Sequence, residues 1–216
     1  MKLGFVGTGE ITSAMVTGLS SSDAELHSIR LSPRNLAIAT DLANRFPGVS
    51  IATSNQDVLD HCDTVVIAVR PHVARSALSE LRFRPDHHVI SVVSALSLRS
   101  VSDLVSPATR ITRAVPLPST AKRIGPTAIY PPDRLVDDLF AALGTVFAVE
   151  TEAEFDAMCG DSNHCLLLRI HWRRCIPVGS KRRSESESSR LRWSNVLGTD
   201  QYRSRRARTQ FPIAGQ

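Results

Sequence analysis

From Lys2 to about Val149 the chain alternates short apolar runs, rich in β-branched residues, with stretches whose apolar positions recur at helical spacing. The runs LGFV, SIRL, VSIA, TVVIAV, HVISVV and RITRAV predict strands at 3–6, 28–31, 49–52, 64–69, 88–93 and 110–115. Helices are predicted at 11–20, 35–46, 55–61, 71–81 and 98–105. Several strands are apolar without alternation, as they are when helices cover both faces of a sheet. This is the signature of repeated β-α units and an α/β fold with a doubly wound, mainly parallel sheet. The segment VPLPSTAKRIGPTAIYPP (115–132) breaks the pattern, its prolines and glycine favouring extended and turn conformations. A further helix (134–143), a strand (145–149) and the start of a last helix (152–158) follow.

Beyond Cys159 the texture changes to KRRSESESSRLRW and YRSRRARTQ, with few core-forming residues and no sustained period. The composition predicts a disordered basic tail. It also relocates the charge: residues 160–216 carry 12 Lys+Arg against 4 Asp+Glu, whereas residues 1–159 carry 14 against 17. The net charge of +5 is therefore no sign of a nucleic-acid-binding body. A hydrophobic content of 42 % in 216 residues is enough for a real core. No signal-peptide pattern or membrane-length apolar run is present, so a cytoplasmic protein with no membrane partner is expected. The cysteines Cys62, Cys159, Cys165 and Cys175 form no C-x-x-C pair, and nothing orders His164, Cys165, His171 and Cys175 into a metal site; no metal is expected.

The first strand runs into Val6-Gly7-Thr8-Gly9-Glu10-Ile11, and a helix follows. Gly7 permits a tight turn, and Gly9 lets the backbone approach a pyrophosphate at the positive end of the helix. The third glycine of the usual fingerprint is replaced by Thr12. At the end of the second strand, where an NAD site would carry a carboxylate, the chain reads Ser32-Pro33-Arg34. A donor at Ser32 and a cation at Arg34 suit a 2′-phosphate, which favours NADP. The expected architecture is thus a Rossmann-type domain followed by an irregular C-terminal tail.

These pieces stand in the order found in pyrroline-5-carboxylate reductases, which the first 150 or so residues resemble. LGFVGTGEITSAMVTGL is similar to that family's opening strand, turn and helix, and SPRN to its phosphate-selecting loop. The resemblance places Asn55 at the adenosine ribose. It places Ala68, Val69, Arg70 and Pro71 in the turn over the cofactor, and Ser94 and Ala95 in the next turn, where the family has Ala-Gly. RAVPLPST falls at the family's Met-Pro-Asn segment, with Val115 and Leu117 at the methionine and asparagine positions. The resemblance implies an NADP-dependent oxidoreductase of the kind that reduces a cyclic imino acid to proline, in a divergent paralogue that Leu117 in the asparagine position leaves open to a different imine or carbonyl. No catalytic acid is assigned: His72, His87 and His88 read as loop or strand-end histidines. Lys122 and Arg123 lie in a Pro/Gly-rich loop, where a solvated charge pair is the commoner reading and facing an anionic substrate the alternative.

The resemblance also implies a C-terminal helical domain that completes the substrate site and makes a homo-oligomer. EFDAMC resembles its approach, with Asp156 at the family's aspartate, and the similarity stops there. Permitted codons for residues 160–168, read one base later, spell Ala-Thr-Ala-Thr-Ile-Ala-Ser-Tyr, which suits a buried helix. The expected organisation is an NADP-binding domain (1–150), the start of a lost helical dimerisation domain (151–159) and a basic, disordered or out-of-frame tail (160–216). Loss of that interface would expose an apolar helix face near Phe155 and impair turnover. Two rivals remain: a nucleotide-binding regulatory or interaction protein without catalysis, and a nucleic-acid binder using the tail, which the lack of an aromatic stacking platform opposes.

Overall fold

The structure, a computed structural model, describes residues 1–22 and 28–159. The tail, with His164, Cys165, His171 and Cys175, lies outside the described residues. In chain order the elements are β1 (Lys2–Val6), α1 (Glu10–Ser20), β2 (Ser28–Leu31), α2 (Leu36–Arg45), β3 (Val49–Ile51), α3 (Asn55–His61), β4 (Thr64–Ile67) and α4 (Pro71–Leu78). Then come β5 (His88–Ser91), α5 (Leu98–Val105), β6 (Arg110–Val115), a 3₁₀ turn (Pro118–Lys122), β7 (Gly125–Tyr130), α6 (Arg134–Ala141), β8 (Gly144–Ala148) and α7 (Glu152–Cys159).

One sheet of eight strands runs β3-β2-β1-β4-β5-β6-β7-β8, parallel except where β7 pairs antiparallel with β6. Alternate strand residues serve opposite faces. Leu3, Phe5, Val66 and Ile90 join Met15, Leu19, Leu42, Val136 and Phe140 under α1, α2 and α6. Val6, Val65, Ile67 and Val89 join Val58, Leu59, Leu78, Val101 and Val105 under α3, α4 and α5. Both faces of β4 and β5 are therefore dry, which is why HVIS and TVVI are buried at every position. Gly4 lets α3 sit hard against β1: a Cβ there would meet Val58 Cγ1 at 2.5 Å and Cys62 at 3.0 Å.

Two differences from the sequence-based expectation have clear causes. The 115–132 segment contains a full strand, β7. Its Pro126 faces β8 at Thr145 and lies beyond the residues paired with β6, so the missing N–H breaks no ladder on that side. β4 ends at Ile67 rather than Val69, because Ala68 and Val69 turn away to pack against the Gly7 loop. Among the described residues no helix is long and apolar enough to cross a membrane.

Candidate cofactor site

The strand order reverses between β1 and β4, and in open α/β sheets the crevice outside the carboxyl ends at such a point is where ligands bind. Gly7 sits there at φ +104, and a Cβ on it would meet the Ala68 carbonyl oxygen at 2.5 Å. Only glycine fits that conformation without strain. Gly9 differs: its φ is −114, and no atom lies within 4 Å of where a Cβ would stand. It caps α1 without a side-chain hydrogen bond. The first N–H groups of α1, which have no partners within the helix, thus open onto free space with the helix's positive end behind them. That cradle fits a pyrophosphate.

The loop is braced from beneath. The Gly7 N–H donates to Ser32 Oγ at 2.9 Å, and the Thr8 hydroxyl donates to the Ser32 carbonyl at 2.7 Å, with its oxygen 3.1 Å from Ser32 Oγ. The Thr12 hydroxyl donates to the Gly7 carbonyl at 2.7 Å, so the residue replacing the third glycine ties the helix to the turn. Ser32 is fully buried. The hydroxyl expected to reach a phosphate instead tethers the β1 and β2 loops, because the Gly7 amide would otherwise lack an acceptor.

Arg34 is exposed, and among the described residues neither it nor the exposed Arg70 has an ion-pair partner. Arg34 lines a cleft of about 450 Å³ with Ser54, Asn55, Gln56, Ser76 and Glu80. Asn55 is presented there by a rigid capping structure. Ser54 accepts from the Asp57 N–H at 3.0 Å, and the Asp57 carboxylate accepts from the Thr53 N–H at 2.7 Å and from Arg30 at 3.2 Å. The Thr53 N–H foremost, with the Arg30 bond adding, holds the Asp57 carboxyl below its ordinary value against the opposing effect of desolvation. Arg70 caps α4 ahead of Pro71, and Ser94 and Ala95 are exposed in the turn after β5.

Of the three histidines weighed above, one is exposed on a helix and two are structural. His72 is exposed on the first turn of α4. His87 is buried, its Nδ1 accepting from the Arg84 N–H at 2.9 Å and its Nε2 lying 3.0 Å from the Leu59 carbonyl, and burial depresses its pKa. His88 is buried with Nε2 3.5 Å from Asp133, and burial depresses its pKa more than Asp133 raises it. Arg123 does not await an anion: it donates to the Ser21 carbonyl at 2.7 Å. Burial pushes both described thiols, Cys62 and Cys159, up to about 11, which leaves them protonated at neutral pH.

Sequence reasoning passed over Arg113, the largest fully buried side chain. Its guanidinium donates to Glu152 at 2.7 Å, to Asp156 at 2.8 Å and to the Ser94 carbonyl at 3.0 Å, and lies 4.4 Å from the Phe155 ring centroid. Phe155 is fully buried against Val115, Ala128, Phe147 and Val149, which corrects the expectation of an exposed apolar face there. An arginine in the buried part of the strand RITRAV, with Glu152 and Asp156 four apart on a helix, was the readable signal.

Residues 2–95 match the family described as NADP oxidoreductase, coenzyme F420-dependent. Pyrroline-5-carboxylate reductase 2 of Rattus norvegicus is 27 % identical over 174 residues, covering 74 % of this chain and 54 % of that protein. The solved 1-pyrroline-5-carboxylate reductase of Streptococcus pyogenes superposes with a TM-score of 0.66 at 21 % identity, over 98 % of this chain and 82 % of that one. The chain is thus similar to pyrroline-5-carboxylate reductases in sequence and shares their fold. The Plasmodium falciparum pyrroline carboxylate reductase, solved with NADP bound, has a TM-score of 0.65 at 19 % identity, over 98 % of this chain and 85 % of that one. The chain spans about half the length of the curated relatives it matches.

Proposed function

We propose that this chain binds NADPH and is an oxidoreductase of the pyrroline-5-carboxylate reductase type. The observation that carries the reading is the open cradle at Gly9 over the uncapped start of α1, beside a cleft that unites Arg34 and Asn55. The description of the matching family model, which names NADP, and the NADP-bound Plasmodium neighbour support the choice of cofactor.

In this reading Val6 to Ile11 receive the pyrophosphate on backbone N–H groups. Arg34 pairs with the adenosine 2′-phosphate where an NAD site would place a carboxylate, and Asn55 meets the ribose. The Ala68, Val69, Arg70 and Pro71 turn and the Ser94-Ala95 turn flank the nicotinamide half. Ser32 and Thr8 contribute by fixing the Gly7 turn. When bound, NADPH would supply a hydride to the carbon of a C=N bond, with the nitrogen's proton taken from solvent. The β1, β4 and β5 turns orient the nicotinamide, and holding an imine against it is the task of the helical domain that the resemblance implies.

The substrate class is a small cyclic imino acid, differing from the family's own to the extent that buried Val115 and Leu117 stand at its methionine and asparagine positions. Domain boundaries near 150 and 159, a cytoplasmic setting and loss of the family dimer interface belong to the same reading. In the same reading the helical domain that completes the substrate site in the family is lost after Cys159, so turnover in this form is slow. The alternative, a nucleotide-binding protein without catalysis, is favoured by the same buried Leu117. NADPH oxidation with pyrroline-5-carboxylate, in this chain and in one with the reading frame restored after Cys159, tests the reading. The restored protein should turn over and dimerise; failure of both to oxidise NADPH favours the non-catalytic alternative.

A further inference from the structure

The Arg113 cluster joins two parts of the molecule that the cofactor reading treats separately. Burying a guanidinium in the middle of a sheet is unfavourable unless several partners hold it. Arg113 has them: Glu152 and Asp156 on α7, the Ser94 carbonyl in the turn after β5, and the face of Phe155. Glu152 does a second job, its Oε1 accepting the N–H of Leu98, the first residue of α5, at 2.6 Å.

The turn between β5 and α5 is therefore gripped at both ends by one charged cluster, Ser94 through Arg113 and Leu98 through Glu152. Between those points the turn is exposed at Ser94, Ala95 and Ser97, with a backbone bond from Leu96 to Val93 at 3.2 Å. Its path across the crevice is thus fixed largely from α7, a helix 39 to 43 residues away in sequence from Arg113.

We propose that Arg113 is a positioning residue: it locks the Ser94-Ala95 turn in place for the nicotinamide half of the cofactor and makes that contact depend on the docking of α7. The proposal rests on the NADPH reading above. It predicts an asymmetry that a purely structural role does not. Loss of the cluster should weaken binding of the whole dinucleotide and spare the adenosine end, which is held by Arg34 and Asn55 on the other side of the switch point.

The test uses the full chain and two probes, NADPH and adenosine 2′,5′-bisphosphate, which carries only the 2′-phosphate end. Arg113→Met should bind NADPH about tenfold more weakly, the scale of one charge-assisted contact, with the bisphosphate affinity unchanged. If Arg113→Met does not fold, Glu152→Gln with Asp156→Asn carries the same test, since those carboxylates are only partly buried, at 33 % and 57 % exposure. Equal losses for both probes, or no loss for either in a folded variant, overturn the positioning role. A wild-type chain that binds neither probe overturns the cofactor reading itself.

Discussion

The two glycines of the first turn should respond in opposite ways to the same substitution, Gly→Ala. At Gly7 the backbone is at φ +104 and the added Cβ would lie 2.5 Å from the Ala68 carbonyl oxygen and 2.9 Å from the Val69 nitrogen. Strain of a positive φ costs on the order of 1 to 3 kcal/mol, and pushing β4's last turn aside adds about 1 kcal/mol or more. At Gly9 the backbone is extended, the Cβ meets nothing, and the weaker N-cap of Ala is roughly offset by a stiffer unfolded chain, for a net change of about 0.5 kcal/mol or less. At roughly 2 to 4 °C per kcal/mol for a domain this size, Gly7→Ala should lower Tm by several degrees and Gly9→Ala by about 2 °C at most. NADPH affinity should nevertheless fall about tenfold or more in Gly9→Ala, because the methyl group occupies the phosphate's approach. Differential scanning fluorimetry and calorimetric titration read the two effects. A Gly9→Ala protein that melts like Gly7→Ala, or that binds NADPH as the wild type does, refutes the reasoning.

Buried His88 is held below its ordinary pKa of 6.5, so its contribution to stability is present above about that pH and is lost as pH falls through the depressed value. Tm should therefore drop as the medium is acidified below 6.5, and His88→Leu should remove part of that slope; an unchanged slope contradicts the assignment. Phe155→Ala, at a fully buried ring stacked on Arg113, should cost about 3 to 5 kcal/mol by denaturant titration if α7 unfolds with the sheet, and a loss under about 1 kcal/mol would show that α7 docks independently.

The parallel part of the sheet was legible because each strand is a short apolar run and each helix a periodic one, so pattern and packing agree. β7 was not, since Pro126 and the Pro131-Pro132 pair read as breakers; only pairing with β6 and β8 shows that Pro126 stands where one edge is free. In the site, Gly7 and Gly9 could be picked out from the sequence, but their different tasks could not. Those depend on a positive φ at one and on open space at the other. Ser32 was legible as a polar residue in the right loop. That its hydroxyl faces inward to the Gly7 amide is a tertiary fact with no local signature. Arg113 shows the reverse case: its local signal was plain, but its partners lie on a helix at 152–159 that sequence alone treats as a separate beginning.

The most direct test of the cofactor assignment is calorimetric titration of the full 216-residue chain with NADPH and with NADH, alongside Arg34→Ala. The account predicts saturable binding, NADPH at least about tenfold tighter than NADH, and a loss on the order of 1.5 to 3 kcal/mol for NADPH alone in the variant. Equal affinity for the two nucleotides, unchanged by removing Arg34, would contradict it.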